Sequence, residues 1–348
     1  MNIAEYWKND FKSILTDIDR NIKSSFKILD FDVNMIVRVH EIERAIQKLN
    51  CDKSSGPDLV SSEHLKHSDR SIYAHLALLF SAMFRYSLIP DKFMHVNIVP
   101  LIKNRGGNIN RKDNYRPISL SSVVSKIFEQ IIIWRIEHLL YVSENQFAFR
   151  KNLSTELCVY VLKQIIQDYV INNTPVFICF LDITKAFDRI DNDEMIKILE
   201  SRNIPTFITE ILKYWFNNQP FFVKWKHITS SGFYPTCGLR QGSKLSPLLF
   251  NIYLDKLSNR LNYSKTGCCM GITLINHLCY ADATALISPS VKGLQNLIDI
   301  CQSFGKDYNV IFNGKKTKCM YFKPNNYRFD EPDFILYSES LEIVNSFK

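Results

Sequence analysis

Val176-Phe177-Ile178-Cys179-Phe180-Leu181-Asp182 is an unbroken apolar run that ends on a carboxylate. It reads as a buried strand that brings one charge to its edge beside a turn. An Asp in such a place is also a frequent helix cap, here for a helix carrying Lys185, Ala186 and Phe187. A second stretch changes the balance. Leu278-Cys279-Tyr280-Ala281-Asp282-Ala283-Thr284-Ala285-Leu286-Ile287 reads as two short apolar strands around an acid at a hairpin tip. Two acids on neighbouring strand ends can share divalent cations, because Mg²⁺ takes hard oxygen ligands together with substrate phosphates. A metal pair then stabilises both the attacking and the leaving oxygen in phosphoryl transfer. Spacing alone does not show that the two acids meet; that step needs the fold.

Between them lies Gly238-Leu239-Arg240-Gln241-Gly242-Ser243-Lys244-Leu245-Ser246-Pro247, leading into Leu248-Leu249-Phe250-Asn251-Ile252-Tyr253-Leu254. The two Gly allow the backbone to approach a ligand closely, and Ser246-Pro247 opens a helix. An ordinary loop accounts for the Gly and Ser. It accounts poorly for Arg240, Gln241 and Lys244 crowding one turn.

The 348-residue chain carries a formal charge of +8 and is 46% hydrophobic, with 11 Gly and 12 Pro. That excludes a disordered, collagen-like or low-complexity polymer and predicts about two domains or subdomains. The apolar runs fall far short of the roughly 20 residues of a membrane span. The opening MNIAEYWKND has no apolar h-region, so it is not a secretory signal. Nine Cys without paired spacing point to reduced thiols in an intracellular protein, nuclear or cytoplasmic, and not to a zinc site. Charge is uneven: residues 92–151 hold ten Lys or Arg against four acids, a local +6, while 329–348 carry −4. The basic stretch suits phosphates, although a solvated surface is the commoner explanation.

Residues 1–50 read as polar helices, Ser71 to Leu88 as a buried helix, and Val96 to Ile102 as a strand. Arg105 to Asn114 is a Gly- and Asn-rich basic turn, followed by helices over Ser121 to Leu140 and Leu153 to Val170. Helices are also expected over 189–201 and 206–218. The mix is α+β, with strands separated by helix pairs.

Taken together, the blocks resemble the reverse transcriptases of non-LTR (LINE-like) retrotransposons. The resemblance runs through KSSGPD at 53–58, VPLIK at 99–103, NYRPISLSSVVSKIFEQIIIWRI at 114–136 and ENQFAFRKNLST at 144–155. It continues through FLDITKAFDRI at 180–190, GLRQGSKLSPLLFNIYLDKL at 238–257, CYADATALI at 279–287 and NGKKTKCMYF at 313–322. Eight blocks in the family's order carry it; YAD alone would not.

The resemblance implies a right-hand polymerase fold, with fingers, an antiparallel palm sheet and packed helices. It places an N-terminal helical extension at 1–50, a basic fingers-type region at 51–175 and the palm at 176–348, with the thumb absent. It implies RNA-directed DNA polymerisation from dNTPs onto a primer 3′-OH. Asp182 and Asp282 would hold two Mg²⁺ ions, or Mn²⁺ in their place. Arg116 and Lys103 would clamp the triphosphate, and Phe187 would crowd a ribose 2′-OH. Gln241 and Gly242 would line the template-primer pocket, and Lys316 of NxxKT would protonate departing pyrophosphate. The partners implied are template RNA and a DNA primer, with no membrane, and with endonuclease and thumb segments elsewhere in the element product. The alternative is a catalytically impaired nucleic-acid-binding remnant. Three departures bear on it: Ala283 stands where a second Asp is common, and Leu59 and Ala148 stand where Gly is usual.

Overall fold

Strand-forming segments in this chain are short, apolar and often covered on both sides, so helices must supply the covering layers. The computed structural model describes residues 2–16, 25–324 and 331–346. In chain order its elements begin with α1 (Ile3–Leu15), α2 (Val39–Gln47), α3 (Ser62–Lys66), α4 (Ser71–Tyr86) and α5 (Asp91–Met94). Next come β1 (Val96–Ile102), β2 (Tyr115–Ser121), α6 (Val123–Ile136), α7 (Thr155–Ile171) and β3 (Val176–Asp182). The middle holds α8 (Asn192–Ser201), α9 (Thr206–Asn218), β4 (Phe221–Trp225), β5 (Ile228–Thr229) and α10 (Ser246–Tyr263). After these lie β6 (Cys268–Met270), β7 (Thr273–Ile275), β8 (His277–Tyr280), β9 (Ala283–Ser288), α11 (Val291–Asp307) and β10 (Lys318–Phe322). Three two-residue strands close the series: β11 (Ile335–Leu336), β12 (Glu339–Ser340) and β13 (Glu342–Ile343).

The chain divides into two units that are each discontinuous in sequence: 1–140 with 187–249, and 141–186 with 250–348. The first contains a sheet in the order β2-β1-β4-β5. β1 pairs antiparallel with β2, from Val96↔Ser121 to Ile102↔Tyr115, and parallel with β4. One face of this sheet is covered by α1, whose Trp7, Phe11 and Leu15 join Val96, Ile98, Tyr115, Phe221 and Val223 in one core. Trp7 lies 4.6 Å from the Tyr115 ring centroid and 6.0 Å from Trp225, contacts that add to burial of large aromatic surface. A second aromatic cluster, with Phe80, Phe84, Phe128, Phe207 and Trp215, joins α4, α6 and α9. The helical reading of 1–50 is met at Ile3–Leu15 and Val39–Gln47, and fails over 25–38, which is non-helical apart from a single 3-10 turn at Val33–Met35; its part on 17–24 lies outside the described residues.

The second unit contains a sheet in the order β13-β10-β3-β9-β8. Its pairs are antiparallel except β10 with β13, so the expected antiparallel sheet is mixed at that edge. β3 is central and buried on both faces. Val176 and Ile178 face a core with Ile165 of α7 and with Leu278 and Ile287. α11 packs against β3 and β9, burying Leu294, Leu297, Ile298, Cys301 and Phe304. Ser154 caps α7 and Ser290 caps α11, each accepting a backbone N–H three residues on.

The helix-cap alternative for Asp182 fails. Residues 184–189 form turns, not a helix carrying Lys185, Ala186 and Phe187. The reason lies in the backbone partners. Thr184 N–H donates to Ile311 O at 2.8 Å, Lys185 adopts φ +50°, and the next helix starts only at Asn192, capped by the Asp191 carboxylate. Asp182 is therefore not a helix cap.

Candidate functional site

In the second unit, three strands bring the two acids of the sequence pattern onto adjacent chain ends. Asp182 is the last residue of β3, and its register partner on β9 is Ala283. β8 and β9 close as a hairpin on the pair Tyr280↔Ala283, leaving Ala281 and Asp282 as its two-residue tip. Ala281 takes φ +56°, a left-handed conformation needed at the first central position of this kind of tight turn. Asp282 thus precedes the residue directly across from Asp182. Both acids are partly exposed.

Lys316 belongs to the same end of this unit. Asn313 N–H donates to Asp182 O at 2.8 Å, and the Asn313 carbonyl accepts from Lys316 and Thr317 N–H. That turn carries the Lys316 ammonium to 3.4 Å from Asp182 Oδ2, with 68% of the lysine side chain exposed. An exposed pair of this kind adds little stability. Its interest is positional: a cation sits beside the carboxylate on a long, solvent-exposed side chain.

The hairpin tip is braced by a segment the sequence singled out only as a block. Main-chain bonds join Cys279 N–H to Asn145 O at 2.7 Å and Phe147 N–H to Cys279 O at 2.8 Å. Behind it, Asn251 Nδ2 donates to Ala148 O at 2.9 Å, and the Asp255 carboxylate accepts from Ser143 N–H at 2.7 Å. Ala148 fits its site without left-handed strain, since the positive φ falls on Phe149 instead. Nearby, His277 is fully buried between Asn276 Oδ1 at 2.6 Å and Ser258 Oγ at 3.0 Å. Burial pushes its pKa down to about 4.

The remaining predicted residues lie in the first unit. Lys103 follows β1, donates its N–H to Asn114 O, and bonds through Nζ to Asp113 O at 2.8 Å. Arg116 pairs with Leu101, so strand alternation puts it on the sheet face opposite Tyr115 and the α1 core, exposed to solvent. Phe187 is half-buried on the turn, its carbonyl accepting from Leu239 N–H at 2.7 Å. Gln241 donates through Nε2 to the buried Asp188 carboxylate at 2.7 Å, while its carbonyl accepts from Ser119 N–H. Gly242 has φ +117°, and a Cβ there would lie 2.8 Å from Ser119 O, so only Gly passes the strand this closely.

The Arg240 side chain turns inward. Its guanidinium lies 4.5 Å over Trp215 and 2.5 Å from the fully buried Glu129. Glu129 also accepts Lys244 N–H at 2.6 Å. Burial lowers the Arg240 pKa, and the Glu129 charge opposes that shift. The crowded turn thus hides one cation in a structural ion pair. Glu129, Asp188 and Gln146 are polar residues that sequence reading missed, because each acts through a partner far along the chain; His277 was missed because nothing local marks it as buried.

Asp182 and Asp282 supply hard carboxylate oxygens, the donor type that suits Mg²⁺ or Mn²⁺. Among the described residues, no three His, Cys, Asp or Glu side chains form a metal-holding group. The donor set fits a cation that takes its remaining oxygens from substrate and water.

The profile of the family described as reverse transcriptase (RNA-dependent DNA polymerase) matches residues 102–341, a span that includes all eight predicted site residues. The chain belongs to this family. Similar proteins include a probable RNA-directed DNA polymerase from transposon BS of Drosophila melanogaster, 26% identical over 287 residues, covering 81% of this chain and 32% of the relative. The RNA-directed DNA polymerase from mobile element jockey of Drosophila funebris is 27% identical over 296 residues, covering 82% and 32%. A Pol polyprotein from the type-1 retrotransposable element R2 of Nasonia vitripennis is 27% identical over 244 residues, covering 70% and 23%. These relatives are non-LTR retrotransposon polymerases, as the resemblance implied. The chain spans about a third or less of their length. No helix among the described residues is long and apolar enough to cross a membrane.

Proposed function

We propose that this chain is the polymerase portion of an RNA-directed DNA polymerase, joining dNTPs to a primer 3′-OH on an RNA template. The observation that carries the reading is the strand register: Asp182 ends β3 opposite Ala283, and Asp282 immediately precedes Ala283. The reaction demands mainly positioning and charge neutralisation. Asp182 and Asp282 would hold two Mg²⁺ ions, which when bound neutralise phosphate charge and activate the primer oxygen.

The chain's own side chains do the rest. Lys316, exposed and beside Asp182, gives a proton to the departing pyrophosphate. Arg116 and Lys103 bind triphosphate oxygens, as exposed cations on one sheet end suit. Phe187 excludes a ribose 2′-OH. Gln241, oriented by Asp188, and Gly242, open at its surface, take the template and primer. In this reading the sheet with Arg116 belongs to the fingers, and the sheet with Asp182 to the palm. Template RNA, DNA primer and an intracellular setting follow from the same reading.

Purified chain tests it on a homopolymer RNA template with a DNA primer. Mg²⁺-dependent incorporation supports polymerisation. Salt-sensitive RNA binding without incorporation supports the impaired remnant.

A further inference from the structure

We propose that Gln146 is a positioning residue whose side-chain amide clamps the Ala281 peptide and so sets the direction of the Asp282 carboxylate. This rests on the polymerase reading for its consequence, but not for its geometry. Ala281 N–H donates to Gln146 Oε1 at 3.1 Å, and Gln146 Nε2 donates back to Ala281 O at 3.4 Å. The same Oε1 accepts Ala148 N–H at 3.0 Å. Two backbone donors converging on one atom fix which end of the amide is oxygen.

The arrangement continues a ladder by other means. Residues 145–147 run parallel to β8 and bond to both sides of Cys279, with Gln146 as its bridge partner. Two residues further on, the β8 backbone enters the hairpin tip, out of main-chain reach. A glutamine side chain ends in the same amide as a peptide, so it supplies the next pair of bonds where the backbone departs.

The tip needs such a hold. Ala281 has a Cβ and a φ of +56°, where glycine would rest without strain. Gln146 is only 3% exposed, so water cannot replace its bonds. Asp282 is the very next residue, and its backbone direction is set by the peptide that the amide holds.

Backbone amide exchange in the native chain tests the clamp directly. The Ala281 amide is expected to exchange at least a hundredfold slower than an unstructured peptide, although it sits at an exposed hairpin tip. An unprotected Ala281 amide in the native chain overturns the proposal. Gln146→Met keeps the side-chain length and removes both bonds to Ala281 together with the one from Ala148 N–H. It should speed Ala281 exchange tenfold or more and weaken Mn²⁺ binding, read by electron paramagnetic resonance, several-fold. Primer extension should lose kcat about tenfold while the KM for dNTP and RNA affinity stay unchanged. Unchanged exchange and Mn²⁺ affinity in a folded Gln146→Met chain contradict the clamp. A native chain that shows the protected amide but extends no primer contradicts the polymerase reading and leaves the clamp standing.

Discussion

Asp182 and Ala283 stand directly across from each other on β3 and β9, at the end where the hairpin tip presents Asp282. Facing residues of an antiparallel pair have Cα atoms about 5 Å apart. A carboxylate at 283 would therefore sit beside that of Asp182, and a methyl group stands there instead.

Ala283→Asp turns this relationship into a measurement. Without divalent cation, two carboxylates about 5 Å apart in water repel by roughly 1 kcal/mol, so the variant melts lower than the native chain in EDTA. Adding Mg²⁺ reverses the order, since a ligand that binds only the native state stabilises it. Single-turnover extension rises about 10²-fold, the scale of one preorganised electrostatic group. Melting curves that shift alike in EDTA and Mg²⁺ contradict the pairing.

Glu129→Gln removes the charge that compensates Arg240, whose side chain is 10% exposed against 0% for Glu129. Breaking a buried pair from one side costs about 3 to 5 kcal/mol. Urea denaturation should show a loss of that order. A change below about 1 kcal/mol would mean that Arg240 escapes to solvent.

Leu59 adopts φ +59° with 71% of its surface exposed, so its side chain contributes little and its backbone is strained. Leu59→Gly relieves about 1–2 kcal/mol of left-handed strain and adds about 0.5–1 kcal/mol of unfolded-chain entropy. The variant is expected to gain about 0.5–1 kcal/mol. A lower urea midpoint contradicts this account of the position.

His277 makes stability depend on pH. Its folded pKa, near 4, lies below the ordinary 6.5, so the unfolded chain binds the proton first. Stability from this group is full above pH 6.5, falls as pH drops toward 4, and levels off below. The total is about 3 kcal/mol. His277→Gln should flatten the pH profile of the urea midpoint over that window. An unaltered slope in the variant assigns the dependence to other groups.

Much of this was legible in the sequence, and the pattern of what was not has a physical basis. β3 and the β8–β9 hairpin were readable because their apolar residues are contiguous and each acid sits at a break. Leu59 was readable as an anomaly, and its positive φ explains why Gly suits the place. The turn at 184–189 could not be told from a helix in the sequence because Thr184 bonds to Ile311 and Gly238 N–H bonds to Ile190 O, partners that no local propensity encodes. The crowding of Arg240 into its turn had no explanation in the local sequence, because its partner Glu129 lies 111 residues away. Gln146 was quoted in its block, but nothing in ENQFAF says that its amide ends at Ala281. Local chemistry was written in the sequence; long-range pairing was not.

Mg²⁺-dependent primer extension on an RNA template by the native chain and by Asp182→Asn, with RNA affinity measured in parallel, tests polymerisation at the Asp182 strand end. The amide keeps the shape of the carboxylate and removes the charge that would hold the cation. The native chain is expected to incorporate dNTPs, Asp182→Asn to lose incorporation by at least about 10³-fold, on the order expected for dismantling the electrostatic centre, and RNA binding to stay unchanged. Extension by Asp182→Asn at the native rate would contradict polymerisation at this strand end.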